Sequence, residues 1–174
     1  MNALALDIGT TTGWAIWDDG QVLSGSWLLA TEKQLRQQRK VGGERRGDIR
    51  FFQLRDRIAD AIARHRIEVL VFEDVQFATS AAQTQLWASL RSAVWLAGKA
   101  VRHVECVHTG TLKKFATGAG NAGKEQMVAA AANLARPWGR VVVDDNEADA
   151  LHILRWWHSQ NAEVGAKAVL VPSA

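Results

Sequence analysis

Cysteine is nearly absent: the 174-residue chain carries one, Cys106, so neither a disulfide nor a cysteine-based zinc site can form within it. That residue sits in the apolar alternation VRHVECV and reads as a buried, unreactive thiol. Long apolar runs are missing too. No stretch approaches the roughly 20 unbroken apolar residues of a membrane span, and no basic segment precedes the first strand-like run. A cytoplasmic location without a membrane partner is therefore the expectation. Also lacking are internal repeats and any linker that would separate domains. With 48% apolar and 22% charged residues the composition excludes disordered and fibrous classes. The length suits one buried core and is too short for two. The expected organisation is one domain over 1–160 and a tail over 161–174.

Net charge is small, +3, but its distribution is uneven. Between Lys33 and Arg66 the sequence has 11 Lys and Arg against 4 Asp and Glu. A basic face is expected there, although a solvated helix with its own ion pairs has the same composition. Charge alone does not decide between them.

Three strand-like runs open the chain, ALALDI, TGWAIW and QVLSGSWLL, the last two separated by the turn-forming Asp18-Asp19-Gly20. A Gly/Arg-rich loop from Val41 to Gly47 leads to FFQLRDRIADAIARH, where Phe51, Leu54, Ile58, Ala61 and Ile62 recur at helical spacing. EVLVFEDV is a continuous apolar strand, suited to a sheet centre covered on both faces. A long helix is expected from about Ser80 to Lys99, with Leu86, Leu90, Val94 and Ala97 forming an apolar stripe available to a second copy. VRHVECV is a fifth strand, LKKFA and KEQMVAAAANLA are helical, and Pro137 ends the second of these. VVVDD is strand-like, and EADALHILRWWH is a final helix. Of the tryptophans, Trp87 and Trp95 are expected in the core or a dimer contact, and Trp156 and Trp157 over the helix end. The order β-β-β-α-β-α-β-α-α implies a mixed five-stranded α/β sheet with helices on both faces, the order of the RNase H-like fold.

Acidic residues interrupt the apolar elements. Asp7 lies between Leu6 and Ile8 in the first strand, and Glu73 and Asp74 close EVLVFED. Carboxylates on central strands are costly unless a metal, a cation or hydrogen bonds compensate them. DDNEAD is a third group. Asp144 and Glu147 suit the cap and first turn of the last helix, but Asp149 falls in its apolar stripe. At about 100° per residue Asp145 and Asp149 are about 40° apart and share a face, while Glu147 points away. Four oxygen donors from three elements suit a hard divalent ion such as Mg²⁺ or Mn²⁺. Two such ions roughly 4 Å apart clamp an in-line phosphoryl displacement.

Across nearly the whole chain, from ALALDIGTTTGWAIW through FEDVQF to VHTGTLKKFATGAGNAGKEQM and DDNEADAL, the sequence resembles the RuvC-type Holliday junction resolvases. The most specific piece is K-x-x-x-x-G-x-G-x-A-x-K, matched by Lys113, Gly118, Gly120, Ala122 and Lys124. The resemblance implies an RNase H-like nuclease of DNA recombination and repair. It would act as a homodimer on branched DNA, with two Mg²⁺ or Mn²⁺ ions per active site. It implies metal-binding roles for Asp7, Glu73 and Asp149, and lysines at 113 and 124 close to the scissile phosphate. Glycines 118 and 120 would form a tight turn, with Lys114 beside them on DNA. Phe77 lies near the place where members stack an aromatic on an unpaired base, although it follows Glu73 by four residues where three are usual. Many members carry an Asp three residues before the last catalytic one. Here that position is Asn146, so the fourth ligand is Asp145, with Asn146 as alternative. Arg46 and Arg50 are expected to follow the DNA arms. His152, one turn after Asp149, either orders a water or phosphate or is a packed helix residue.

DIGTTTG also resembles the phosphate-binding turn of sugar kinases and heat-shock-type ATPases, which bind nucleotide between two such domains; this chain has one. RuvC-like RNA-processing nucleases open with a similar motif but usually lack the Gly-Lys segment. A non-catalytic nucleic-acid-binding module gains nothing from carboxylates placed against phosphates.

Overall fold

In the computed structural model, residues 1–40, 47–74, 80–136 and 141–168 are described, with side chains to residue 161. The strands are β1 (Asn2–Asp7), β2 (Thr11–Asp18), β3 (Gln21–Leu28), β4 (Ile67–Asp74) and β5 (His103–His108). The helices are α1 (Glu32–Lys40), α2 (Ile49–His65), α3 (Ala81–Ala97), α4 (Thr109–Thr117), α5 (Lys124–Ala135) and α6 (Asp145–Ala168). One sheet has the order β3-β2-β1-β4-β5. The first three strands form an antiparallel meander, and β4 and β5 join β1 in parallel. Among the described residues no helix is long and apolar enough to cross a membrane.

Alternation along β1 divides the core in two. Ala3 and Ala5 face one layer with Val69, Val71, Leu151 and Ile153. Leu4 and Leu6 face the other with Leu54, Ile58, Phe72 and Leu90. Small residues on the first side let α6 lie close to the middle strands, which brings its N-terminus to the C-terminal end of β1. On the other side the larger side chains pack against α2 and α3. Asp48 caps α2 by accepting the Arg50 N–H at 2.9 Å, and α2 stops at Arg66, which takes a left-handed conformation at φ 49°.

Several expectations require correction. The stripe on α3 does not form an outer surface: Leu90 and Val94 are fully buried in the chain's own core, with Leu86 and Ala97 packed against it. The outward apolar residues of this helix are Trp95 and Leu96, 45% and 51% exposed. VVVDD is not a strand. Val141 and Val143 are 83% and 82% exposed, and the segment is an extended entry to α6 that never reaches a sheet edge. Helix α1 was not expected, because its sequence EKQLRQQRK lacks an apolar period and none of its residues is buried. The last helix, expected over EADALHILRWWH, begins at Asp145 and continues to Ala168. Pro137 lies outside the described residues.

Because Leu90 fills the core and Leu96 does not, truncating them should have very different costs. Leu90→Ala should lower unfolding free energy by about 2–5 kcal/mol, and Leu96→Ala by less than about 1 kcal/mol, in urea titrations monitored by circular dichroism. Equal effects would mean that the helix is rotated from this packing.

Candidate active site

A line across three strands organises the site. Asp7 of β1 is in register with Gly13 of β2, and Gly13 with Ser26 of β3. All three positions lie on the α6 side of the sheet. At the middle of this line α6 lands on the bare backbone: a Cβ added to Gly13 would sit 1.8 Å from the Asn146 carbonyl oxygen. No residue but glycine fits there without moving the helix. Ser26 Oγ then donates to the Asp144 carboxylate, 2.7 Å from each oxygen, and Ser24 Oγ to Glu147 Oε1 at 2.6 Å.

The helix start itself follows the capping logic of its sequence. Asp144 Oδ1 accepts the Glu147 N–H at 2.8 Å, as an N-cap does. Glu147 reaches back one residue further than a standard capping box and accepts the Val143 N–H at 2.7 Å. Glu147 is buried, so pointing away from the carboxylate face means facing β3 and not solvent. Thus Asp144 and Glu147 hold the helix, and Asp145 and Asp149 remain for the cleft.

Glu73 follows Phe72, which is in register with Leu6, so Glu73 and Asp7 end adjacent parallel strands. It is buried and accepts a hydrogen bond from the Thr109 hydroxyl at the start of α4. Asp74 points to the other sheet face and pairs with Arg91 of α3 at 3.2 Å. Lys113 approaches Glu73 and Asp149 from α4. Lys124, the first residue of α5, forms an ion pair with Asp145. Gly118 ends α4 in a left-handed conformation at φ 83°, open to glycine and strained for most other residues. Gly120 packs close to the Gly110 carbonyl. The exposed Lys114 contributes its carbonyl to the Gly118 cap at 2.9 Å. Lys113 and Lys124 therefore flank a turn built on glycine.

These groups are electrostatically unlike ordinary surface carboxylates. Burial, with the charges of Glu73, Asp149 and Asp145, raises the Asp7 carboxyl well above its usual range. Asp149 is raised to about 7, by burial first and then by Glu73 and Asp145. Burial also raises Glu73, opposed by Thr109 and Lys113. Asp145 alone is lowered, by its bond to Lys124. Asp149 Oδ1 is buried and has no hydrogen-bond partner among the described residues. Among those residues no three His, Cys, Asp or Glu side chains converge closely enough to enclose an ion by themselves. The set is an open one of oxygen donors, which fits Mg²⁺, an ion held by one or two carboxylates with water and phosphate completing the shell.

Solved structures similar to this one include two of RuvC from Thermus thermophilus. The first has a TM-score of 0.65 at 18% identity, covering 88% of this chain and 90% of the other. The second, RuvC in complex with Holliday junction substrate, has a TM-score of 0.66 at 20% identity over the same shares. The chain has the RNase H-like fold of RuvC. The yeast mitochondrial Holliday junction resolvase Ydc2 is also similar, with a TM-score of 0.51 at 15% identity over 87% of this chain and 75% of Ydc2. No protein-family model and no curated protein matches by sequence.

The expected residues do not all gather here. Asp7, Glu73, Asp145, Asp149, Lys113 and Lys124 do. Arg50 does not: its guanidinium is held by Asp48 at 2.9 and 2.6 Å. Phe77 and Arg46 lie outside the described residues. His152 is fully buried, with Nε2 3.0 Å from the Met127 carbonyl and Nδ1 without a hydrogen-bond partner among the described residues, and burial lowers its pKa. Cys106 is only partly buried, with its thiol pushed up by burial and by Asp74. Gly13, Ser24, Ser26 and Thr109 were missed, since their partners are distant in sequence or depend on strand register.

The raised carboxyls link stability to pH. Asp149 holds its proton more tightly folded than unfolded, so its contribution is most favourable below the unfolded value near 3.8 and falls as pH rises to about 7. Asp149→Asn removes that cost. In chelator it should raise the melting temperature at pH 8, with the gain vanishing by pH 4. A gain independent of pH would show that the carboxyl is not perturbed.

Proposed function

We propose that this protein is a metal-dependent endonuclease that cuts four-way or related branched DNA. The observation that carries the reading is the gathering of Asp7, Glu73, Asp145 and Asp149 from two strands and a helix, faced by Lys113 and Lys124. A binding surface for polyanions would not concentrate carboxylates at its centre. The similarity in fold to RuvC, one structure of which contains a Holliday junction, supports the choice of substrate.

In this reading Asp7, Glu73, Asp145 and Asp149 hold two Mg²⁺ or Mn²⁺ ions. Those ions, when bound, supply Lewis-acid activation of water and neutralise charge on the phosphate. Water attacks phosphorus in line and the bond to the 3′-oxygen breaks, leaving 5′-phosphate and 3′-hydroxyl ends. The chain's contribution is placement. Gly13 seats α6, Ser26 and Asp144 fix its first turn, and Thr109 orients Glu73. Lys113 meets the negative charge that grows on the phosphoryl group. Lys124 holds Asp145 and flanks the same turn.

Exposed cations of α1 and α2 follow the DNA arms through phosphates, which positions substrate without reading sequence. Cutting opposed strands of a junction calls for two sites, so the active species is a homodimer. With the α3 stripe spent in the core, Trp95 and Leu96 are the apolar residues of that helix left for a second copy.

Single-turnover cleavage of a synthetic four-way junction, against linear duplex and with Mg²⁺, Mn²⁺ or EDTA, tests both roles. Asp7→Asn should abolish cutting, by at least about 10³-fold, while junction binding is retained. Lys113→Ala should slow cleavage of bound junction by about 10²-fold with little change in affinity. An active Asp7→Asn protein defeats the metal-site reading. A Lys113→Ala protein changed only in its binding constant moves that lysine to the general basic surface.

A further inference from the structure

On the sheet face opposite the carboxylates, beside the edge strand β3, aromatic rings and guanidinium groups form a second surface. Trp14 and Trp27 are stacked, with centroids 5.5 Å apart and planes within 20°. Gly25 is directly opposite Trp14, and a Cβ there would come within 3.0 Å of the indole, so the stack depends on that missing side chain. The Arg57 guanidinium lies over the Trp27 ring at 5.8 Å.

The arginine is one of three at heptad spacing on the same flank of α2, Arg50, Arg57 and Arg64. Its neighbours are neutralised, Arg50 by Asp48 and Arg64 by Asp60. Arg57 makes no ion pair among the described residues and has an aromatic ring as its partner instead. Nearby, α1 adds Lys33, Arg36, Arg39 and Lys40, none of which is ion-paired among the described residues. Gln38 ties α1 to α2 by accepting the Ile49 N–H at 3.3 Å. Trp27 follows Ser26, the residue in line with Gly13 and Asp7, so its backbone is two strands or about 10 Å from Asp7 while its ring lies on the opposite sheet face.

We infer that Trp27 and Arg57 form a stacking subsite for an unpaired DNA base on a single-stranded arm that leaves the cleft around the β3 edge. The inference rests on the nuclease reading only for its placement beside a cleavage site. With Trp14 and Arg57 both stacked on the Trp27 ring, the exposed guanidinium plane of Arg57 is the surface on which a base can stack, and the phosphates of the strand match the unpaired cations of α1. A fully paired arm offers phosphates but no free base. The preferred substrate is then a branched DNA with an unpaired strand.

Binding in Ca²⁺ without cleavage separates stacking from charge. The probes are a branched duplex with a short oligothymidine flap and the same molecule with abasic sites in the flap. The wild-type protein should bind the thymidine flap about 5- to 100-fold more tightly. Arg57→Ala should lose most of that difference and lower the salt slope by about one unit on both probes. Arg57→Lys should keep the salt slope but not the preference, because an ammonium retains charge without a planar surface. Equal wild-type affinity for the two flaps overturns the inference, as does a preference unchanged in Arg57→Ala. So does a surface that captures anionic lipid vesicles in preference to either flap. Wild-type junction cleavage in Mg²⁺ is scored separately. A protein that cuts junctions yet ignores flap bases overturns the subsite alone, and one that stacks bases but cuts nothing overturns the nuclease reading alone.

Discussion

The close approach of α6 to Gly13 is the constraint on which the site depends. A helix separated from a sheet by ordinary side chains would hold Asp145 and Asp149 too far from Asp7 for the three to influence one another. With no side chain at Gly13 the helix backbone meets the β2 backbone, and small residues at Ala3 and Ala5 continue the close packing along β1. Ser24 and Ser26 of β3 secure the other side of the first turn through Glu147 and Asp144. Three strands and a helix start are thus locked together at the point where Asp7 emerges.

That arrangement works against stability. Burial raises Asp7, Glu73 and Asp149, repulsion from neighbouring carboxylates adds to the rise of Asp7 and Asp149, and one oxygen of Asp149 has no hydrogen-bond partner among the described residues. The remaining fold offsets this cost through its two apolar layers, and Lys113 and Lys124 relieve it only in part. A cation placed among these carboxylates would relieve it further, which links the electrostatic strain of the site to its proposed use.

The strands and most helices were legible because their periods are strong, and the acidic positions were legible because a carboxylate in ALALDI or in an apolar helix stripe violates that period. Other features were not. The α3 stripe shows that one helix face is buried but not by what, and here it is the chain's own core. The three valines before Asp144 have strand propensity but no strand edge to join. Helix α1 lacks an apolar face, yet a local signal existed: Thr31 and Gln34 form a reciprocal cap, with the Thr31 N–H donating at 2.8 Å and the Gln34 N–H at 3.3 Å. Gly13 had no local signal, since its partner is Asn146 and only the three-dimensional packing makes a side chain there impossible.

We propose that these carboxylates hold divalent ions. Titration of the wild-type protein and of Asp7→Asn with Mn²⁺ at pH 8, followed by calorimetry and by the loss of the free-ion resonance signal, tests it without any substrate. Saturable binding by the wild-type chain that is weakened at least about tenfold in Asp7→Asn is the result predicted. Wild-type and variant proteins that bind Mn²⁺ equally, or neither of them at millimolar ion, would contradict it.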